Sequence, residues 1–550
     1  MLPSNQLNLS LPSLHIEHSW TAIFESPEKA SAALAEKILP TYMLRMRWFG
    51  AKTSRVKRYK VEYILPFQIA TRQKAYILFV EVVFEASHTE SYLLPVTMAT
   101  EAADPDSQIC KLGLKKEKAS GYLIDAIYSA GFRKALMRDI LARKKNPLSN
   151  GFLRFSKGKR LRNTSAVSKM ESRVLKVEQS NSTIVYGERY FLKIYRKLFR
   201  NNNPDLELTR FLSEKANYPY SPHFAGSIEW VRTDYYTVSL GLMQEKVENQ
   251  GEAWNDSLNE IEAFFKRVQE AALKPKDLPK VDLYKGMSLE QVPDIYRKVV
   301  GESMLIKAKK LAIRTAQLHL ALASDKTDRH FNPESFSSDY TVWLLNRVMY
   351  MFDRRFHLLE QQYESLSGKA REYAKYLISN KDRIKDRLLH FDEQHLNSCR
   401  IRIHGDFHLG QVLITGDDFC LLDFEGEPES TIRDRKVKQP PVKDLAGLFR
   451  SYHYAVFATI FQRFAKSGDQ EELGEFGGRY YRLLVAVSLH YYTSTAMDGA
   501  LDIGYAREID FLLRYHIFEK AIYELGYELH ARPDWVIIPL KGIMQILNND

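Results

Sequence analysis

The stretch Arg402-Ile403-His404-Gly405-Asp406-Phe407-His408-Leu409-Gly410-Gln411 constrains this chain more than any other. A short β-type run, Arg400 to Ile403, enters a loop that carries Asp406. Two more strands follow, Val412–Thr415 and Phe419–Phe424, because apolar, strand-favouring residues flank the turn Gly416-Asp417-Asp418. A hairpin of that length folds Asp423 back beside Asp406 and Gln411. The chemistry then follows from residue type. Asp406 can take the proton of a hydroxyl nucleophile, and Gln411 and Asp423 can hold Mg²⁺ on ATP phosphates. A hard dication needs few protein oxygens when phosphates and water supply the rest. Singly, each aspartate reads equally well as a turn or cap residue. It is the three at this spacing that point to phosphoryl transfer.

Composition bounds the setting. The 550 residues are long for one domain, so two to four structural units are expected. Hydrophobic content of 45% and charged content of 27% suit a globular chain with a large core. The net charge is 79 − 68 = +11. No long basic run interleaves with aromatics, so nucleic acid is not the expected partner, and a positive balance suits an enzyme of phosphate-bearing ligands. Cys110, Cys399 and Cys420 are too few and too scattered for a disulfide framework or a zinc site. Neither a signal peptide nor an apolar run long enough for a bilayer is visible, so a cytoplasmic location without a membrane partner is expected.

Along the chain, residues 1–14 read as a flexible start and 15–100 as a mixed N-terminal cap. The cap contains a helix at Pro27–Ile38 and strands at Val56–Leu65, Ala75–Phe84 and Ser91–Thr97. Residues 101–172 read as an intermediate region, with a helix over 120–147 on the spacing of Leu123, Ile127, Phe132, Leu136 and Ile140. From about Arg173 the pattern turns to tight hairpins, Val174–Glu178, Thr183–Tyr186 and Tyr190–Tyr195. Residues 173–247 therefore read as a nucleotide-binding lobe and 248–550 as a helical lobe with the catalytic and sugar-binding groups. Gln179, Ser180 and Asn181 form a turn that can leave amides facing phosphates. Lys193 sits mid-strand. Asn203, Pro204 and Asp205 start a helix, and Glu207, one turn in, is the expected partner of Lys193 at the nucleotide phosphates. The strand Thr237–Val247 ends at a hinge where the backbone of Glu245 to Val247 could read adenine. His319 reads as a packed helix histidine. The basic loop Arg433–Lys438 reads equally as a solvated loop and as a lining of the substrate site. Near the catalytic groups, His408, Glu425, Arg435 and Lys436 are the polar candidates for sugar contacts.

The chain resembles the bacterial maltokinases, a group within the aminoglycoside-phosphotransferase-like kinases that also occurs fused behind trehalose synthases. Four stretches carry the resemblance: Arg47-Trp48-Phe49-Gly50-Ala51-Lys52; Glu178-Gln179-Ser180-Asn181-Ser182 with Leu192-Lys193 and Asn203-Pro204-Asp205; His404 to Gln411 with Leu422-Asp423-Phe424-Glu425-Gly426-Glu427-Pro428; and Arg532 to Leu540. Gln411 stands where the wider superfamily usually has asparagine. The resemblance implies an α+β, two-lobed protein-kinase-like fold with an added N-terminal cap. It also implies ATP- and Mg²⁺-dependent phosphorylation of maltose to maltose 1-phosphate, feeding trehalose and α-glucan metabolism, with trehalose synthase as a candidate pathway partner. The alternatives are a kinase of another sugar or amino sugar, such as glucosamine or an aminoglycoside, and a non-catalytic pseudokinase. The last would be expected to lack Lys193, Asp406 or Asp423, and all three are present.

Overall fold

The computed structural model of the chain describes residues 10–548 except 18, 51–53, 87, 102–103, 115–118, 163–164, 176–179, 235 and 466–468. Of the positions singled out above, Gln179 lies outside the described residues, as do Ala51, Lys52, Glu178 and residues 1–9. The chain forms two compact units, 1–210 with 222–246, and 211–221 with 247–550.

The first unit holds two sheets. One runs in the order Ser13–Ile16, Gln108–Leu114, Ala119–Asp125, Thr89–Ala99, Gln73–Phe84, Val56–Ala70, with Lys197–Leu198 also pairing Thr89–Ala99. Ser13 and Leu14, expected in a flexible start, lie in a strand paired parallel to Lys111 and Leu112. Gln73–Phe84 is apolar almost throughout because both of its faces are covered, and strand side chains alternate between faces. Leu78, Val80 and Val82 pack with Leu34, Leu39 and Tyr42 of the helices Pro27–Leu34 and Ile38–Arg45. Ile77 and Phe79 join the opposite core with Phe132, Leu136, Ile140 and Trp230.

The second sheet of this unit is antiparallel, in the order Lys145–Leu148, Gly151–Lys157, Phe224–Arg232, Thr237–Glu245, Tyr190–Ile194, Ser182–Tyr186, Ser172–Val174. The helix expected over 120–147 is shorter, Ala130–Leu141, and opens at Ser129, whose side chain accepts the Phe132 N–H. Leu123 lies in a strand and Ile127 in a single turn before the helix. The 3.6-residue spacing was real from Phe132 onward and coincidental before it. The region 101–172 is divided between the sheets: Gln108–Asp125 completes the first and Lys145–Lys157 extends the second.

A buried ion pair pins the two sheets together. Arg196 Nη2 lies 2.6 Å from Asp125 Oδ2, with both side chains fully buried. Arg196 also donates to Ser182 Oγ at 2.8 Å and to the Leu93 carbonyl at 3.3 Å. Its guanidinium sits 4.9 Å from the centre of the Trp48 ring. Tyr42 donates to the same Asp125 oxygen at 3.1 Å.

The second unit is helical apart from two short two-stranded ladders. The helix Val442–Arg463 is buried nearly all round from Val442 to Ile460, as expected of a helix at the centre of a core. Among the described residues no helix is long and apolar enough to cross a membrane.

Candidate functional site

The catalytic-type loop is held by the buried helix Val442–Arg463. Asp444 accepts the His404 N–H at 2.8 Å and the Gly405 N–H at 2.9 Å. His319 Nε2 approaches the same carboxylate at 2.9 Å, and Tyr492 holds the other ring nitrogen at 2.8 Å. Burial alone would raise the Asp444 pKa, but its bond to His319 and the loop amides hold it below the usual carboxylate range. His319 thus packs as the sequence suggested and acts on the loop only through Asp444. Two turns further, Ser451 Oγ accepts the Leu409 N–H at 3.1 Å. Gly447 lies between these two anchors because a Cβ there would come within 2.6 Å of the Phe407 carbonyl oxygen. Gly405 itself has φ +84°, a conformation that glycine adopts readily.

This frame fixes Asp406. Its Oδ1 accepts from Lys520 Nζ at 3.0 Å, and Lys520 lies 3.4 Å from Glu427 Oε1. Burial pushes the Asp406 carboxyl up, yet the charge and hydrogen bond of Lys520 outweigh it and hold the pKa below its ordinary value. The same two carboxylates raise Lys520 against its own burial. Asp406 is therefore an ionised acceptor fixed in position. Lys520 stands 114 residues away in the helix Ala506–Ala531 and was missed in the sequence. Its flanking pattern marks it only as a lysine on a helix.

The hairpin forms, but its second strand is Asp418–Leu421 rather than Phe419–Phe424 and ends two residues before Asp423, with Gly416 at φ +69° in the turn. His404 Nε2 donates to the Leu422 carbonyl at 2.8 Å, tying loop to hairpin. Asp423 then adopts φ +62°. Aspartate is among the few non-glycine residues enriched there. Gln411 Nε2 donates to Asp423 Oδ2 at 3.1 Å. As placed, the amide turns its nitrogen to the carboxylate; turned over, its oxygen and Asp423 would offer Mg²⁺ two hard oxygen donors.

In the first unit, Lys193 pairs across the strands with Thr183 and Leu242. Its ammonium donates to Asp205 Oδ2 at 3.0 Å, two residues before the expected partner Glu207. Helical residues turn about 100° each, so residues 205 and 207 point to nearly opposite sides. Asn203 caps this helix as expected, its Oδ1 accepting the Asp205 N–H at 2.9 Å. Ser180 is exposed, with Asn181 Nδ2 3.3 Å from its hydroxyl. The amides of Glu245 and Lys246 donate within the sheet, to His223 O at 2.9 Å and Arg189 O at 2.8 Å. Both amides are thereby committed rather than offered to a base. Val247, in the other unit, accepts at its carbonyl from Asn249 Nδ2 at 2.9 Å.

Of the expected sugar contacts, two serve their own loops. His408 Nδ1 accepts the Gly410 N–H at 3.1 Å. Burial lowers the His408 pKa, so the ring is neutral. Arg435 donates to the carbonyls of Ser430 at 3.0 Å, Pro428 at 2.7 Å and Glu425 at 3.4 Å, so it braces the loop after Asp423. Glu425 and Lys436 are half-buried. Two small hollows of about 20 and 30 Å³ share Gly405, Glu427 and Lys443. One is lined by Asp406, Lys520 and Tyr523, the other by Trp343, Arg347 and Arg435. Arg347 joins Glu427 and Glu519, and Lys443 reaches Glu519 at 3.0 Å. Charges around Asp406 are therefore mutually compensated, and Trp343, Phe407 and Tyr523 are among the aromatic groups lining the hollows.

No family model matches the chain. It is 27% identical over 260 residues to a glucosamine kinase from Streptacidiphilus jiangxiensis, a match covering 46% of this chain and 53% of that protein. It is 25% identical over 150 residues to a glucosamine kinase from Mycolicibacterium smegmatis, covering 26% of this chain and 34% of that protein. The matches thus span about half the length of the first relative and a third of the second. A solved glucosamine kinase in complex with glucosamine, ADP and inorganic phosphate superposes with a TM-score of 0.57 at 16% identity, covering 89% of this chain and 94% of that one. The α+β, kinase-like fold expected from the sequence is the fold of the chain.

Proposed function

We propose that the chain is an ATP-dependent sugar kinase whose acceptor is maltose, phosphorylated at its reducing-end hydroxyl to maltose 1-phosphate. The observation that carries the kinase reading is the ionised Asp406, held by Lys520 on a loop clamped by Asp444 and Ser451. In the reaction, Asp406 orients the acceptor hydroxyl and takes its proton as the new oxygen–phosphorus bond forms. The bond from the γ-phosphorus to its bridging oxygen breaks, and ADP leaves with that electron pair. Gln411 and Asp423 would hold Mg²⁺, which neutralises charge on the phosphates. Lys193, steadied by Asp205, would contact the nucleotide phosphates.

Maltose rests on the four resembling stretches and on charge. A neutral disaccharide suits a site whose cations and anions offset one another and which carries aromatic faces. A polycationic aminoglycoside suits an acidic one. Glucosamine is the second reading, favoured by the two sequence matches to glucosamine kinases. The test is incubation with ATP, Mg²⁺ and maltose, glucosamine or trehalose, with the product identified by phosphorus NMR. Maltose should give phosphate on the anomeric carbon. Trehalose has no free anomeric hydroxyl and should give none. A clear preference for glucosamine rejects maltose and leaves the kinase reading standing.

Two further outcomes follow. Asp423→Asn removes the charge while keeping a residue that tolerates positive φ, so Mg²⁺-dependent turnover should fall by at least about 10²-fold, in line with loss of charge stabilisation at a transferring phosphate. Titration with Mg²⁺ checks it, and an unchanged Mg²⁺ dependence would place the metal elsewhere. Lys520→Met removes the main cation holding Asp406 down and leaves burial, which raises it. The acid limb of kcat/KM, where the base becomes protonated, should therefore move to higher pH. A limb that stays put means Lys520 does not set the Asp406 proton affinity.

A further inference from the structure

The helix Val442–Arg463 gives Asp444, Gly447 and Ser451 to the catalytic loop. At about 100° per residue, Arg450, His453 and Phe457 belong to a different face. That face walls a cavity of about 580 Å³ in the second unit, within the usual range of small-molecule sites, about 300–1,000 Å³. No residue of the catalytic loop or of its hairpin lines it.

Four cations, Lys280, Arg450, Arg482 and Arg514, line the cavity with one carboxylate, Asp282. Two of the four are paired from behind, Arg450 by Glu524 at 2.6 Å and Arg514 by Asp510 at 2.9 Å, which leaves Lys280 and Arg482 as the lining cations to meet an anion. Arg450 is carried there at 2% exposure. Arg514 lies 3.8 Å over the Tyr284 ring. His453 is 5% exposed, and its Nδ1 takes Arg450 Nη1 at 3.4 Å, which puts the ring proton on Nε2 as one more donor. Burial and Arg450 keep this imidazole neutral. Tyr284 and Tyr481 add aromatic surface with hydroxyls.

The glycines of the wall separate packing from vacancy. A Cβ at Gly477 would lie 2.3 Å from Val456 Cγ1, and one at Gly542 would lie 2.4 Å from Arg450 Nη1, so close packing explains both. A Cβ at Gly478 would meet nothing within 4 Å. Packing does not require glycine there, at a position that lines the hollow.

We propose that this cavity is a second ligand site, separate from the acceptor site, and that it binds a phosphorylated sugar. Guanidinium groups pair with phosphate through two parallel hydrogen bonds. The His453 donor and the tyrosines suit sugar hydroxyls. The site is independent of the kinase reading, because its test reads binding and not turnover.

The test is calorimetric titration of the full chain with glucose 1-phosphate, and in parallel with glucose and inorganic phosphate. The wild type should bind glucose 1-phosphate one to one, and each fragment at least tenfold more weakly. Gly478→Leu fills the hollow with a better helix former, and Arg482→Gln removes a half-buried cation without touching the core. Each variant should weaken binding at least tenfold while its circular dichroism matches the wild type. Asp406→Asn should leave binding unchanged. The proposal is overturned if the wild type does not bind, if either fragment binds as well as the whole, or if both cavity variants bind normally. Loss of binding in Asp406→Asn would likewise overturn it, by assigning the ligand to the acceptor site.

Discussion

Asp406→Asn should lower sugar-dependent turnover by at least about 10²-fold, the usual contribution of a general base, while the chain folds and binds ATP as before. The amide keeps the shape of the side chain and can still accept from Lys520, now at 3.0 Å from Oδ1. Lys520 also keeps Glu427 at 3.4 Å, so no cation is stranded. The backbone anchors at Asp444 and Ser451 do not involve the altered group. What is lost is an acceptor able to carry the hydroxyl proton away. Kinetics with a thermal melt check this, and near-normal turnover in a folded variant would remove Asp406 from the mechanism.

The largest stability effect is expected at the seam of the first unit. Arg196→Ala should destabilise that unit by about 3–5 kcal/mol, the cost of leaving one partner of a buried ion pair uncompensated. Asp125 would keep only Tyr42 and its own loop amide, the Ile127 N–H at 3.2 Å. Ser182 and the Leu93 carbonyl would lose a donor, and Trp48 its guanidinium. Replacing both partners, as in Arg196→Met with Asp125→Leu, should cost much less, because neither charge is then left in the core. Denaturant unfolding of the two variants separates these outcomes. Equal losses in the single and double variants would mean that packing around Arg196, rather than its charge, holds the sheets together.

The parts of the candidate site that were legible in the sequence are local ones. A glycine turn between apolar runs is enough to write the hairpin that returns Asp423 to Gln411, and Asn203-Pro204 is enough to start the helix beside Lys193. Asp205, which meets Lys193, was passed over in favour of Glu207 because position along a helix does not tell direction around it. Lys520 and Asp444 were invisible for another reason. Each acts on a loop far away in sequence, and their helices are buried on so many faces that no polar position stands out. Arg435 has a second task that its place near two carboxylates did not announce: its guanidinium meets three carbonyls of its own loop. The division of residues 101–172 between two sheets rests on long-range pairings, such as Gly226 with Lys157, that no local pattern encodes.

Sugar-dependent ADP release by the purified full chain, with ATP and Mg²⁺ present, decides whether Asp406 serves a sugar kinase. Maltose should accelerate ADP release well above the sugar-free rate, and Asp406→Asn should abolish the acceleration. ADP release indifferent to every sugar offered, or equally fast in Asp406→Asn, would contradict that role.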